Sequence, residues 1–227
     1  MSRDAKNTKR VCAVILFSAV CLVALCATVI AQGPREKAKE TASARIAEER
    51  GAVPTSGMDA LTAIFTRRSI RKYTNQPVSD ETVKTLLQAA MVAPSARNEQ
   101  PWEFIVIRDK KILDQVTGFH PFAKHVAGAP VAIVVAGNTK LEAEKGLWAL
   151  DCSNATMNIL LAAHSLGLGA VWTTLYPYKD RMDGARTLLA IPDHVIPLAI
   201  IPIGYPGETK PPAIDRFNPE RIHKDKW

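Results

Sequence analysis

Within five residues, Arg67-Arg68-Ser69-Ile70-Arg71 gathers three guanidinium groups and a hydroxyl. On an extended backbone Arg67, Ser69 and Arg71 project to one side, a donor set suited to a phosphate or another anion. A solvated basic surface or a polynucleotide-contacting patch would show the same residues. A second concentration of polar groups is Ala93-Pro94-Ser95-Ala96-Arg97-Asn98-Glu99-Gln100-Pro101-Trp102. Ser95, Asn98 and Gln100 there could pair with the edge of a planar heterocycle while Trp102 packs nearby. Read as an ordinary turn, the same stretch uses Pro94 to stop a helix and Asn98 to take up an unusual backbone angle. Gly167-Leu168-Gly169 allows a tight turn through which backbone N–H groups can approach a ligand, although a helix C-cap accounts for Gly167 equally well. Ile203-Gly204-Tyr205-Pro206-Gly207 is followed by Lys210, Asp215, Arg216 and Arg221, a tail with spaced cations.

These groups need elements to hold them. Met58, Leu61, Ile64 and Phe65 have the spacing of a short amphipathic helix leading into the arginine run. Ser79 predicts a helix start, with Asp80 and Glu81 in the first turn and Val83, Leu86, Leu87 and Ala90 on one face. Four short apolar runs predict buried strands: 104–107, 131–135, 170–175 and 198–203. Between the second and third, Glu144 to Leu166 predicts about six turns of helix. It is apolar on nearly every side, so it must be covered by a core or by another subunit. Helices interleaved with central strands indicate a sheet covered by helices, an α+β or α/β class.

The chain has 227 residues, 47% hydrophobic and 22% charged, which suits one globular domain with something added at one end. The addition is Val11 to Ala31, a run without a charged side chain that is long enough to cross a bilayer. A basic head precedes it and Val29-Ile30-Ala31 ends it, so the segment is either a signal peptide cleaved after Ala31 or an uncleaved transmembrane anchor. Residues 32–57 are polar and read as a tether. Location is therefore expected to be membrane-anchored or exported, with the side of the membrane open because cations flank both ends. Residues 1–50 hold 9 Lys+Arg against 5 Asp+Glu, leaving 20 against 17 in the remainder. The folded part is thus only mildly basic, which argues against a nucleic-acid partner. Three of the four cysteines belong to the apolar run, and Cys152 stands apart from any disulfide partner. No Cys/His spacing indicates a metal site.

Taken in order, Arg-Arg-Ser-Ile-Arg, Pro-Ser-Ala-Arg-Asn-Glu-Gln-Pro-Trp, the long helix ending in Gly-Leu-Gly, and Ile-Gly-Tyr-Pro with a downstream arginine resemble the nitroreductase family of FMN proteins. The resemblance covers roughly Met58 to Trp227. It implies an α+β fold with a central mixed sheet covered by helices and an obligate homodimer. It also implies that Arg67, Arg68 and Ser69 serve the FMN phosphate and ribityl end, with Arg71 near N1 and O2. Ser95, Asn98 and Gln100 would face the flavin, often across the subunit boundary. Gly167, Leu168 and Gly169 would approach the ring by backbone, and Arg216 would close on the phosphate. The implied reaction is ping-pong: NAD(P)H, or another donor, reduces the flavin, and a nitroaromatic, quinone or similar small acceptor then takes the electrons in the same space. Such chemistry needs no protein nucleophile, so Cys152 and the histidines are read as core or surface residues. A branch that dehalogenates its substrate or fragments the flavin, and a membrane-tethered anion or nucleic-acid binder without flavin, are the alternatives. The short stretch from Asp114 to Pro130 leaves room for only a small lid.

Overall fold

The computed structural model describes residues 58–211 and 215–227. The expected leader at 11–31 and tether at 32–57 lie outside the described residues. Among the described residues no helix is long and apolar enough to cross a membrane.

Helix α1 (Ala60–Thr66) begins where the Asp59 carboxylate accepts from the Thr62 N–H at 3.0 Å. Helix α2 (Asp80–Met91) begins at the expected cap, with Ser79 Oγ accepting from Thr82 N–H at 3.1 Å and Val83, Leu86 and Ala90 buried. Strand β1 (Trp102–Ile107) and helix α3 (Lys110–Phe119) follow, then β2 (Val131–Asn138) and the long α4 (Trp148–Ser165). The α4 helix starts later than its composition predicts, because Gly146 takes φ +96° and the chain before Trp148 turns. Short strands β3 (Gly169–Ala170) and β4 (Thr173–Thr174), helix α5 (Lys179–Leu189) and β5 (Val195–Gly204) complete the core. Helices α3 and α5 were not anticipated, although Ile112, Leu113, Val116 and Phe119 carry a helical apolar spacing.

The sheet order is β1-β2-β5-β3, with β4 also on β5. Alternate residues of β2 face opposite layers, as a strand period of two requires. Val131, Ile133 and Val135 pack with α2 and α4, and Ala132 and Val134 pack with α3 and α5. The result is helices on both faces of a central sheet, the α+β arrangement expected. Pairings between these strands are all antiparallel, and among the described residues the sheet is mixed only through one isolated parallel bridge, Ser69 to Ala170.

The predicted strand 170–175 is split into β3 and β4 by a residue on its partner. Ala170 pairs with Ile203 and Thr173 with Ile200, which leaves Val171 opposite Pro202. Proline has no N–H to give to that ladder. Its carbonyl turns to the same side and accepts from the Tyr73 hydroxyl at 3.2 Å. A missing ladder bond thus becomes an anchor for the segment that carries the arginines.

Candidate functional site

Segment 67–74 is laid against the β3 edge. Ile70 is buried and its N–H donates to Ala170 O at 3.2 Å. The Tyr73 hydroxyl donates to Ile70 O at 2.7 Å, and Tyr73 bridges Pro206. Held this way, Arg67, Arg68, Ser69 and Arg71 all line one cleft of about 950 Å³. Lys210, Asp215, Arg216 and Phe217 line the same cleft. Ile64 and Phe65 of α1 add an apolar wall. The Arg67 guanidinium is held below its usual proton affinity, first by burial and then by the neighbouring cations Arg68 and Arg216. Cations crowded into one partly desolvated cleft are relieved by a multivalent anion, and planar guanidinium forks match phosphate oxygens. The donor set therefore fits the phosphate of a mononucleotide. Lys210, read from sequence only as one cation of a tail, is a further lining residue.

Ser95, Asn98 and Gln100 lie elsewhere. Arg97, Asn98 and Gln100 all have positive φ, at 50°, 60° and 51°. Such backbone is held by its surroundings. Ser95 Oγ accepts from Gln100 N–H at 3.0 Å, Asp151 Oδ1 accepts from Ala96 N–H at 2.9 Å, and Arg97 pairs with Glu144 at 2.7 Å. Gln100 Nε2 donates to Asn98 Oδ1 at 3.0 Å, and both residues are exposed. Trp102, just after this loop, pairs through Gly137 with Ile196, whereas Ala170, beside Ser69, pairs with Ile203. Seven residues along β5 and three strand spacings across the sheet place loop and cleft at diagonally opposite corners, roughly 23 Å and 14 Å apart along the two directions. Within the chain, the loop residues do not line the arginine cleft.

Gly167, Leu168 and Gly169 lie outside the cleft lining. Gly167 has φ +76° at the end of α4, and Leu168 is buried with its N–H on Ala163 O at 2.8 Å. A Cβ on Gly169 would stand 2.6 Å from the Ile70 side chain. The glycine thus lets the arginine segment approach β3.

The histidines support the same region. His164 Nε2 lies 2.8 Å from Thr66 Oγ1 at the end of α4, beside Arg67. His120 Nε2 lies 3.1 Å from Thr174 O, and His125 Nε2 lies 2.9 Å from Thr173 Oγ1. Both sit on the short turn stretch between α3 and β2. Burial is the main reason that all three imidazoles are held below their ordinary proton affinity, with Arg181, Arg71 and Arg67 the next cause for His120, His125 and His164 respectively. Cys152 is buried against Ala136 O, and burial, then Asp151 and Glu103, pushes its thiol up to about 12. Burial thus keeps the sulfur protonated and out of solvent. Asp151 is a residue sequence reasoning missed: it is buried, with Oδ2 unpartnered, beneath the 95–100 loop. A lone carboxylate among the apolar positions of α4 was its signal.

Helices thus cover both faces of the sheet, and the arginine segment sets a cation-lined cleft beside β3. The model of the nitroreductase family matches residues 64–119 and 120–205. A protein of Methanothermobacter thermautotrophicus, provisionally named NADH dehydrogenase/NAD(P)H nitroreductase, is 54% identical over 172 residues, covering 76% of this chain and 90% of the relative. The crystal structure of a protein with the same provisional name from Parabacteroides distasonis superposes with TM-score 0.71 at 45% identity, covering 74% of this chain and 98% of the other. A provisionally named nitroreductase from Desulfovibrio desulfuricans, solved in complex with FMN, has TM-score 0.65 at 34% identity, covering 75% and 98%. The chain belongs to the nitroreductase family and is an FMN-dependent oxidoreductase.

Proposed function

We propose that this protein works as a homodimer that takes electrons from NAD(P)H and passes them to nitroaromatic, quinone or similar small acceptors, donor and acceptor using one space in turn. The observation that carries the reading is the separation of the two site halves. The arginine cleft and the Asn98 loop occupy opposite corners of one sheet, and a symmetric pair, in which each loop meets the other chain's cleft, completes two equal sites. The outer stripe of α4 agrees, since Leu150 and Met157 are exposed on it at helical spacing, and α1 adds exposed Leu61, Ile64 and Phe65.

Bound FMN supplies the hydride and electron transfer, and the residues supply its grip and its electrostatics. Arg67, Arg68, Ser69, Lys210 and Arg216 would hold the phosphate end. Arg71 would set a positive charge by the pyrimidine side, where reduction places negative charge. Asn98 and Gln100 of the partner, with Ser95 shaping their loop, would present amide groups to the ring, and Gly167 to Gly169 would keep the arginine segment in register.

The purified full-length chain should be yellow with a flavin spectrum and should bleach on anaerobic addition of NADH or NADPH. Initial-rate plots against a quinone should give parallel lines, and intersecting lines would exclude the alternating use of one space. From residues 11–31 we also propose that the flavin domain, residues 58–227, is carried at or across a membrane behind a polar linker at 32–57. Mass spectrometry of the mature N-terminus in fractionated cells separates cleavage after Ala31 from a retained anchor.

A further inference from the structure

Beside the cleft, and not part of its lining, a carboxylate is bound directly to the cationic frame. Glu208 follows the Ile203-Gly204-Tyr205-Pro206-Gly207 motif, and its side chain is only 14% exposed. Its Oε1 accepts from the backbone N–H of Arg71 at 2.6 Å and of Lys72 at 3.2 Å. Its Oε2 lies 2.7 Å from Lys210 Nζ. These bonds, the Lys210 contact foremost and then the Arg71 amide, hold the carboxyl down to about 2, so the carboxylate is charged throughout the working range. The segment around it is zipped to the arginine strand: Thr74 N–H donates to Tyr205 O at 2.9 Å, and Gly207 N–H donates to Lys72 O at 2.8 Å. A Cβ on Gly207 would stand 3.0 Å from the Tyr73 backbone, so this approach suits glycine.

We propose that Glu208 is the positioning residue of the cleft, one carboxylate setting both the backbone at Arg71 and the ammonium of Lys210 where they meet bound FMN. The inference rests on the FMN reading above and adds to it a residue that touches no cofactor itself. Its sign makes it testable. By charge alone, a carboxylate beside a phosphate site repels the ligand, and its removal should tighten binding. As a clamp it does the opposite, because losing it releases two donors of the site.

The experiment is titration of FMN, stripped and re-added, against wild type, Glu208→Ala, Glu208→Gln and Glu208→Asp, followed by flavin fluorescence quenching. Glu208→Ala should raise the FMN Kd about tenfold or more, the scale of a lost charge-assisted contact. Glu208→Gln keeps an acceptor for the backbone amides but turns an N–H donor toward Lys210, so its Kd should fall between those of wild type and Glu208→Ala. Glu208→Asp keeps the charge but is one methylene too short to span both anchors, so it should weaken binding, and it serves if the alanine variant does not fold. Unchanged or tighter binding by Ala or Asp, or a Gln variant as weak as Ala, overturns the proposal. A wild-type chain that takes up no FMN would instead overturn the family reading on which it depends.

Discussion

At the scale of single residues, the cleft is held together by its anchors against the repulsion of its cations. Burial first, and then the neighbouring Arg68 and Arg216, lowers the proton affinity of Arg67. Arg67→Ala and Arg216→Ala should therefore each raise the FMN Kd by about 10- to 100-fold, the range for one charge-assisted hydrogen bond. Equilibrium dialysis with FMN measures this directly, and riboflavin, lacking the phosphate, should respond far less to either change. The histidines make a separate prediction. His120, His125 and His164 all have folded proton affinities below the ordinary value of 6.5. Below pH 6.5 the unfolded chain takes up protons that the folded chain resists, so the stability present above that pH is lost as pH falls through the folded values. Urea midpoints should decline from pH 7.5 to pH 5, and His125→Gln should flatten the decline. A midpoint rising on acidification would contradict the assignment.

Elements decide which of these side chains can converge. The arginine run forms a cleft because three neighbours trap it: the Ala170 backbone, the Tyr73 hydroxyl tied to Pro202, and the void at Gly169 that accepts Ile70. Gly169→Ala forces a Cβ into Ile70 and should cost about 1–3 kcal/mol, the usual penalty of overpacking. It should also weaken FMN, because Ile70 lies between Ser69 and Arg71. The matched control is Ser79→Ala, which removes the α2 cap at about 1 kcal/mol but leaves the arginine segment untouched. Thermal melts with FMN titrations on both variants separate the effects, since equal FMN affinity for the two would deny Gly169 its role in placing the arginines.

At the scale of the whole molecule, the proposed dimer divides the site between its two copies. A chain carrying Arg67→Ala and a chain carrying Asn98→Ala should each bind FMN poorly as homodimers. After mixing and subunit exchange, the mixed dimer has one site with both changes and one site with neither. Flavin uptake should then recover toward one FMN per mixed dimer, as read by absorbance after gel filtration. No recovery on exchange would mean that both residues act within one chain. Substitution of Met157 by Asp on the exposed α4 stripe should dissociate the pair, and FMN should leave with it.

Much of this was already legible in the amino-acid sequence. Caps, strand runs and the order of four motifs are local properties, set by side-chain chemistry over a few neighbours. The Ser79 cap, the apolar runs of β1, β2 and β5, the positive φ of Asn98 and the left-handed end at Gly167 belong to that kind. Other features depend on residues far apart in the chain. Pro202 splits a strand only because Val171 lies opposite it, and Glu208 is a clamp only because Arg71 is 137 positions away in sequence and 2.6 Å away in space. The distance between the Asn98 loop and the arginine cleft is likewise a property of strand order. Sequence named both groups of candidate site residues, and only the tertiary structure showed that they occupy opposite corners of the sheet, because register and order arise from long-range pairing that no local pattern records.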